Sequence, residues 1–184
     1  VWTGSQMIVW GGHNANGSLD TGGVYDPTAD KWWATTVEGA PQKRELHTAV
    51  WTGNEMIVWG GYRFPPNTAY WNNGARYDPL YDYWTPVSTE GAPSGRREHA
   101  AVWTGTQMVV WGGRPGTGPL PTTGGRYDPL SDTWTATSTT AAPLGREAFS
   151  AVWTGSEMIV WGGNTFTGYL NNGGRYNPFS NTWT

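Results

Sequence analysis

Apolar residues fall in short runs with strand-like alternation, and turn residues interrupt them at regular intervals. Thr48-Ala49-Val50-Trp51-Thr52 and Glu55-Met56-Ile57-Val58-Trp59 are two such runs, separated by Gly53-Asn54. A Gly-X pair between β-rich segments predicts a two-residue hairpin turn. That turn sets Trp51 opposite Met56 and Val50 opposite Ile57. Alternation then puts Ala49, Trp51, Met56 and Val58 on one face and Val50, Ile57 and Trp59 on the other. Both faces are apolar, so the hairpin has to be dry on both sides and belongs inside a stack of sheets.

The pattern repeats. Val-Trp-Thr-Gly begins at Val1, Val50, Val102 and Val152, and Trp-Gly-Gly follows at Trp10, Trp59, Trp111 and Trp161. Tyr-Asp-Pro (Tyr-Asn-Pro in the last copy) begins at Tyr25, Tyr77, Tyr127 and Tyr176; Trp32, Trp84, Trp134 and Trp183 stand seven residues after each tyrosine. Gly-Gly frees the backbone for a sharp exit from the second strand, and a third strand ends at the tyrosine motif. Asp78-Pro79 to Asp82 makes a turn into a short fourth strand carrying the last tryptophan. Four antiparallel strands per repeat, apolar on both faces, describe the blades of an all-β propeller.

The Gly-Gly doublet, the later Tyr and the Trp seven residues beyond it resemble the kelch repeat across essentially the entire chain. The wording HTAVWTG…MIVWGG…YDP…W resembles bacterial kelch proteins more than the eukaryotic adaptors. The resemblance implies a toroid in which the first strand of each blade lines a central channel and the fourth lies outermost. One propeller region, residues 1–184, then divides into blades near 1–36, 44–87, 96–137 and 146–184. Kelch propellers usually carry more than four blades. Three readings stay open: a segment of a larger ring, a protomer that self-associates through its terminal blades, or a small closed ring.

Composition narrows the partners. The net charge of −3 argues against nucleic acid, and no apolar run is long enough for membrane insertion by a helix. Cysteine is absent, which excludes disulfides and thiolate metal sites. Few charges and a Thr-, Asn- and Gly-rich surface suggest an extracellular or cell-surface setting.

Topology assigns the loops to two rims. The hairpin turns and the Asp-Pro turns share one rim and hardly vary between copies. The long loops between second and third strands share the other, and here the copies differ. The second of these, residues 62–76, gathers Tyr62, Arg63, Phe64, Tyr70 and Trp71; aromatics and arginine on a rigid scaffold favour recognition of a protein or a glycan. Arg44, Arg96 and Arg146 share one position at the entrance of the innermost strand, where they are expected to ring the channel mouth. In related kelch adaptors basic residues near this place grip acidic peptides, and a guanidinium binds a carboxylate in bidentate fashion. The competing reading is an internal salt bridge to Glu45, Glu98 or Glu147. Packing accounts for His47 and His99, because the fourth copy has Phe149 there. Turn capping accounts for Asp30, Asp82 and Asp132, so no metal and no cofactor is expected.

Nearly every polar residue is a repeat element, whereas catalysis needs a convergent, asymmetric group. The sequence therefore points to a non-catalytic binding module. The alternatives are a structural unit of an extracellular or cell-surface assembly, or the non-catalytic part of a larger carbohydrate-active enzyme.

Overall fold

The computed structural model describes residues 1–64, 66 and 68–184; Pro65 and Asn67, inside the second long loop, lie outside the described residues. Each repeat folds into one antiparallel meander. In the second sheet the order from the inside is Thr48–Trp51, Met56–Trp59, Gly74–Asp78 and Tyr83–Val87. Its register pairs Trp51 with Met56 and Val50 with Ile57, as the hairpin turn dictates. The third sheet comprises Ala100–Trp103, Met108–Trp111, Gly124–Asp128 and Thr133–Ala136; the fourth comprises Ser150–Trp153, Met158–Trp161, Gly173–Asn177 and Thr182–Trp183. The first holds Met7–Trp10, Gly22–Asp26 and Lys31–Ala34, with its inner strand reduced to a bridge between Trp2 and Met7.

Alternation along these strands feeds three cores between four sheets. One face of each sheet carries Ile8 and Trp10, or their counterparts, toward the next sheet. The next sheet answers with its Met, Val, Tyr and outer Trp. Trp59 and Trp111 are buried completely in this way. Each sits among rings of the following sheet: Trp59 lies 5.3 Å from Trp134 and 5.2 Å from His99, and Trp111 lies 5.0 Å from Trp183 and 5.5 Å from Phe149. Both glycines after the tryptophan have left-handed φ, and a Cβ on Gly60 would come within 2.6 Å of the His99 ring. The doublet thus serves close packing between sheets as well as the exit turn.

Polar groups stitch the same junctions at the outer edge. Asp82 and Asp132, in left-handed conformation, each accept the hydroxyl of the tyrosine five residues earlier at 2.7 Å. The same carboxylate oxygens accept the Thr36 and Ser88 amides from the preceding connection. Trp84 and Trp134 donate their indole N–H groups to the Thr36 and Ser88 carbonyls. The repeated aspartates are therefore both turn residues and cross-links between sheets.

The array does not close on itself. In the first sheet Val9 is 48% and Trp32 55% exposed; in the fourth, Val152 is 57% and Trp161 60% exposed. A closed four-sheet ring, one of the three readings above, would bury these residues against each other, so that reading is corrected. No helix of the described residues is long and apolar enough to cross a membrane.

Candidate functional site

The structure moves Arg44, Arg96 and Arg146 away from the accessible mouth expected of them. All three are buried to within 1%. Arg44 donates to the Gln42 carbonyl at 2.9 Å, to Gly60 at 2.8 Å and to Asn73 at 2.9 Å, and its other terminal nitrogen reaches Asn73 Oδ1 at 2.8 Å. Arg96 makes the same set with Ser94, Gly112 and Thr123, and Arg146 with Leu144, Gly162 and Asn172. Gly60 and Asn73 stand at the two ends of the second long loop, so the guanidinium is a pin that closes the loop of its own sheet. Burial lowers the pKa of Arg44 to about 9 and of Arg96 to about 10, and lowers that of Arg146 as well. Among the described residues none of the three forms a salt bridge, so the competing ion-pair reading fails too.

The residue that follows each pin sits at the junction between sheets, Glu45 and Glu147 buried and Arg97 half-buried. Here a second set of contacts joins neighbouring sheets. His13 Nδ1 lies 2.7 Å from Glu45 Oε2, Arg97 stacks 4.8 Å over the Tyr62 ring, and Arg114 Nη1 lies 3.4 Å from Glu147 Oε1. In each pair the earlier sheet contributes the residue after Gly-Gly, and the next contributes the residue after its buried arginine. One residue further on, Leu46, Glu98 and Ala148 all have φ between 51° and 55°. Glu98 N–H donates to the Leu46 carbonyl and Ala148 N–H to the Glu98 carbonyl, which strings them around the inner edge.

The long loops stand above this edge as small hairpins: His13–Asn14 with Gly17–Ser18, Tyr62–Arg63 with Ala69–Tyr70, and Asn164–Thr165 with Gly168–Tyr169. The third differs, because Arg114–Pro115 pairs with Arg96–Arg97. That register puts Arg97 beside Arg114. Of the residues expected in the second loop, the structure brings Tyr62, Phe64 and Tyr70 together, with Tyr62 6.3 Å from Phe64 and 5.1 Å from Tyr70. Arg97 lies over Tyr62 and also 6.0 Å from Tyr70. Phe64 is exposed, and its amide donates to Ser18 of the first sheet. Arg63 stands opposite Ala69, outside this cluster. Trp71 lies elsewhere, 5.5 Å from the Arg44 guanidinium, with its indole N–H donated to the Lys43 carbonyl.

Sequence reasoning missed Arg97, Arg114 and Phe166, and paired Glu147 with Arg146, whereas its partner is Arg114. Arg114 lies 5.3 Å from the exposed Phe166 ring. Glu147 keeps one carboxylate oxygen buried without a partner, and burial, with Glu98 nearby, raises its pKa. The signal was present in the copies: the position after the pin reads Glu45, Arg97 and Glu147, opposite His13, Tyr62 and Arg114.

Antiparallel meanders stacked face to face, inner strand against inner strand, are the blades of a propeller. The sequence matches the KLHDC2/KLHL20/DRC7 Kelch-repeats domain over residues 1–117 and again over 47–184. The chain belongs to the kelch-repeat family. Kelch repeats generally mediate protein–protein interaction and are generally non-enzymatic, which supports reading this chain as a non-catalytic binding module. No curated protein matches it.

Proposed function

We propose that the loop rim is the binding surface and that a protein partner docks on the cluster of Tyr62, Phe64, Tyr70 and Arg97. The observation that carries this reading is the Arg97 guanidinium, held over two tyrosine rings with Arg114 beside it in register. Aromatic and arginine side chains on a pre-formed scaffold are the residues that dominate binding energy at protein interfaces. A partner segment with an acidic side chain for the two arginines and an apolar one for Phe64 fits this chemistry.

The test is selection of peptides from a random displayed library on the wild-type chain, followed by binding to Arg97→Ala, Phe64→Ala and the turn-rim control Leu130→Ala. Selected peptides rich in acidic and apolar residues should lose at least tenfold affinity for the first two variants. They should bind Leu130→Ala unchanged. Equal binding to all three sinks the proposal.

A further inference from the structure

At the rim of the hairpin and Asp-Pro turns, neighbouring sheets leave a groove between them, and one of these grooves lacks its usual occupant. The third strands of the second and third sheets carry Arg76 and Arg126 just before the repeat tyrosine. Each reaches across to the following sheet: Arg76 Nη1 donates to the Pro129 carbonyl at 3.0 Å, and Arg126 Nη1 donates to the Pro178 carbonyl. The first sheet has Val24 at this position. The corresponding acceptor, the Pro79 carbonyl, receives no hydrogen bond among the described residues.

The space follows the side chain. The groove lined by Thr52, Glu55, Trp103 and Leu130 holds Arg76 and measures about 230 Å³. Its counterpart between the first and second sheets, lined by Thr3, Gln6, Trp51 and Leu80, measures about 670 Å³. A second hollow of about 390 Å³ shares Gln6 and Pro79 with it and is lined further by Val24, Trp33 and Asp82. The hairpin turn that forms one wall is closed like the others: Thr3 N–H donates to the Gln6 carbonyl at 2.9 Å, as Thr52 N–H does to that of Glu55.

The lining fits a cation. Register sets Trp33 beside Val24, where the second and third sheets have Thr85 and Thr135 beside their arginines. Trp33 is 48% exposed, and the hollow it lines stays open, so its ring does not fill the place of the missing arginine. Asp78 and Asp82 contribute carboxylates, and no basic residue lines either space. Burial raises the pKa of Tyr77 and of Tyr127; at Tyr127 Arg76 opposes the neighbouring Asp132, whereas at Tyr77 the charges of Asp82 and Asp78 act unopposed.

We propose that this groove binds an arginine side chain of a peptide partner, whose guanidinium takes the seat that Arg76 fills one junction further on. One nitrogen donates to the Pro79 carbonyl, another faces the Asp82 carboxylate, and the plane stacks on Trp33. An ammonium has no plane to lay on the ring, so arginine is preferred over lysine. The wider groove toward Trp51 and Leu80 takes the flanking residues of an extended segment. The site lies on the rim opposite the Tyr62 cluster and is independent of it.

Fluorescence anisotropy of labelled Gly-Leu-Arg-Leu-Gly, titrated with the chain, should show saturable binding, and the Trp33 indole N–H resonance should shift in parallel. Citrulline in place of the arginine keeps the shape, removes the charge and should abolish binding. The lysine peptide and free arginine should both bind more weakly. Trp33→Thr should weaken binding by about fivefold. Val24→Arg combined with Trp33→Thr rebuilds the pair of the second sheet and fills the seat from within. That double variant should keep a wild-type far-ultraviolet spectrum and lose binding. Arg97→Ala, on the loop rim, should bind as wild type does. Absence of saturable binding overturns the proposal, as does equal binding of the citrulline, lysine or free-arginine probe. Full binding by the double variant, or loss of binding in Arg97→Ala, overturns it too.

Discussion

Trp59 and Trp161 occupy the same position of the same strand, yet one is buried without remainder and the other is more than half exposed. Nothing in their own sheets distinguishes them. The difference lies in the neighbour: Trp59 faces Met108, Val110, Tyr127 and Trp134, and Trp161 faces no sheet among the described residues. A blade is thus incomplete by itself. Its strand pairing is internal, but its core belongs half to the sheet that follows, as nearest-neighbour energetics in repeat proteins require.

The largest effect expected from breaking this comparison is on stability. Trp59→Ala should cost about 4–5 kcal/mol in urea unfolding, because it empties a packed site. Trp161→Ala in the dilute single copy should cost under about 1 kcal/mol. Equal losses would mean that the exposed ring is covered in solution.

A contrast of nearly the same size separates the two arginines of the Arg96–Arg97 strand. Arg96→Ala leaves the Gly112 and Thr123 carbonyls without their buried donor and should cost about 3–4 kcal/mol. Arg97→Ala should change stability by under about 1 kcal/mol while removing peptide binding, with calorimetry and affinity measured on one preparation.

The histidines sharpen the comparison among junctions. His47 is held down to a pKa of about 4 and His99 to about 3, first by burial and then by Arg44 and Arg96 respectively, with His47 adding to the effect on His99. Folded-state values lie below the unfolded value near 6.5, so the unfolded chain binds more protons in acid. Stability contributed by each neutral ring is complete above pH 6.5 and is lost as pH falls toward 4 for His47 and toward 3 for His99, on the order of 3 to 5 kcal/mol per ring. The junction with Phe149 has no such dependence. His99→Phe should flatten the acid limb of a stability–pH profile by about half of the histidine contribution; an unchanged profile would assign the limb to carboxylates.

The smallest effect concerns the outer stitching. Tyr127→Phe removes one hydrogen bond to Asp132 and should cost about 1 kcal/mol. Tyr25→Phe, in the exposed first sheet, should cost less by the same denaturation assay.

The fold was legible because its signals are local and repeated. Gly53-Asn54 fixes the hairpin, the hairpin fixes the register, and period-two alternation then assigns both faces. The site was legible only in part, since spacing locates a residue on a rim without stating where a long side chain turns. Arg44, Arg96 and Arg146 do enter the inner strand at the rim, but their guanidinium groups fold inward to carbonyls of Gly60, Gly112 and Gly162. A hint lay in Asn73, Thr123 and Asn172, polar residues that always precede the first glycine of the third strand. Tyr62 and Tyr70 meet Arg97 from another sheet, and a contact between repeats leaves no trace in the spacing within one.

The unlike pairs His13–Glu45, Tyr62–Arg97 and Arg114–Glu147 have a consequence for assembly order. Sheets this similar in sequence are exposed, while folding, to exchange of one for another. A second sheet pressed against the fourth would place Tyr62 against Glu147, losing the cation over its ring. The apolar faces accept any neighbour; the rim pairs act as an address, so that four nearly interchangeable pieces have one correct sequence of seats.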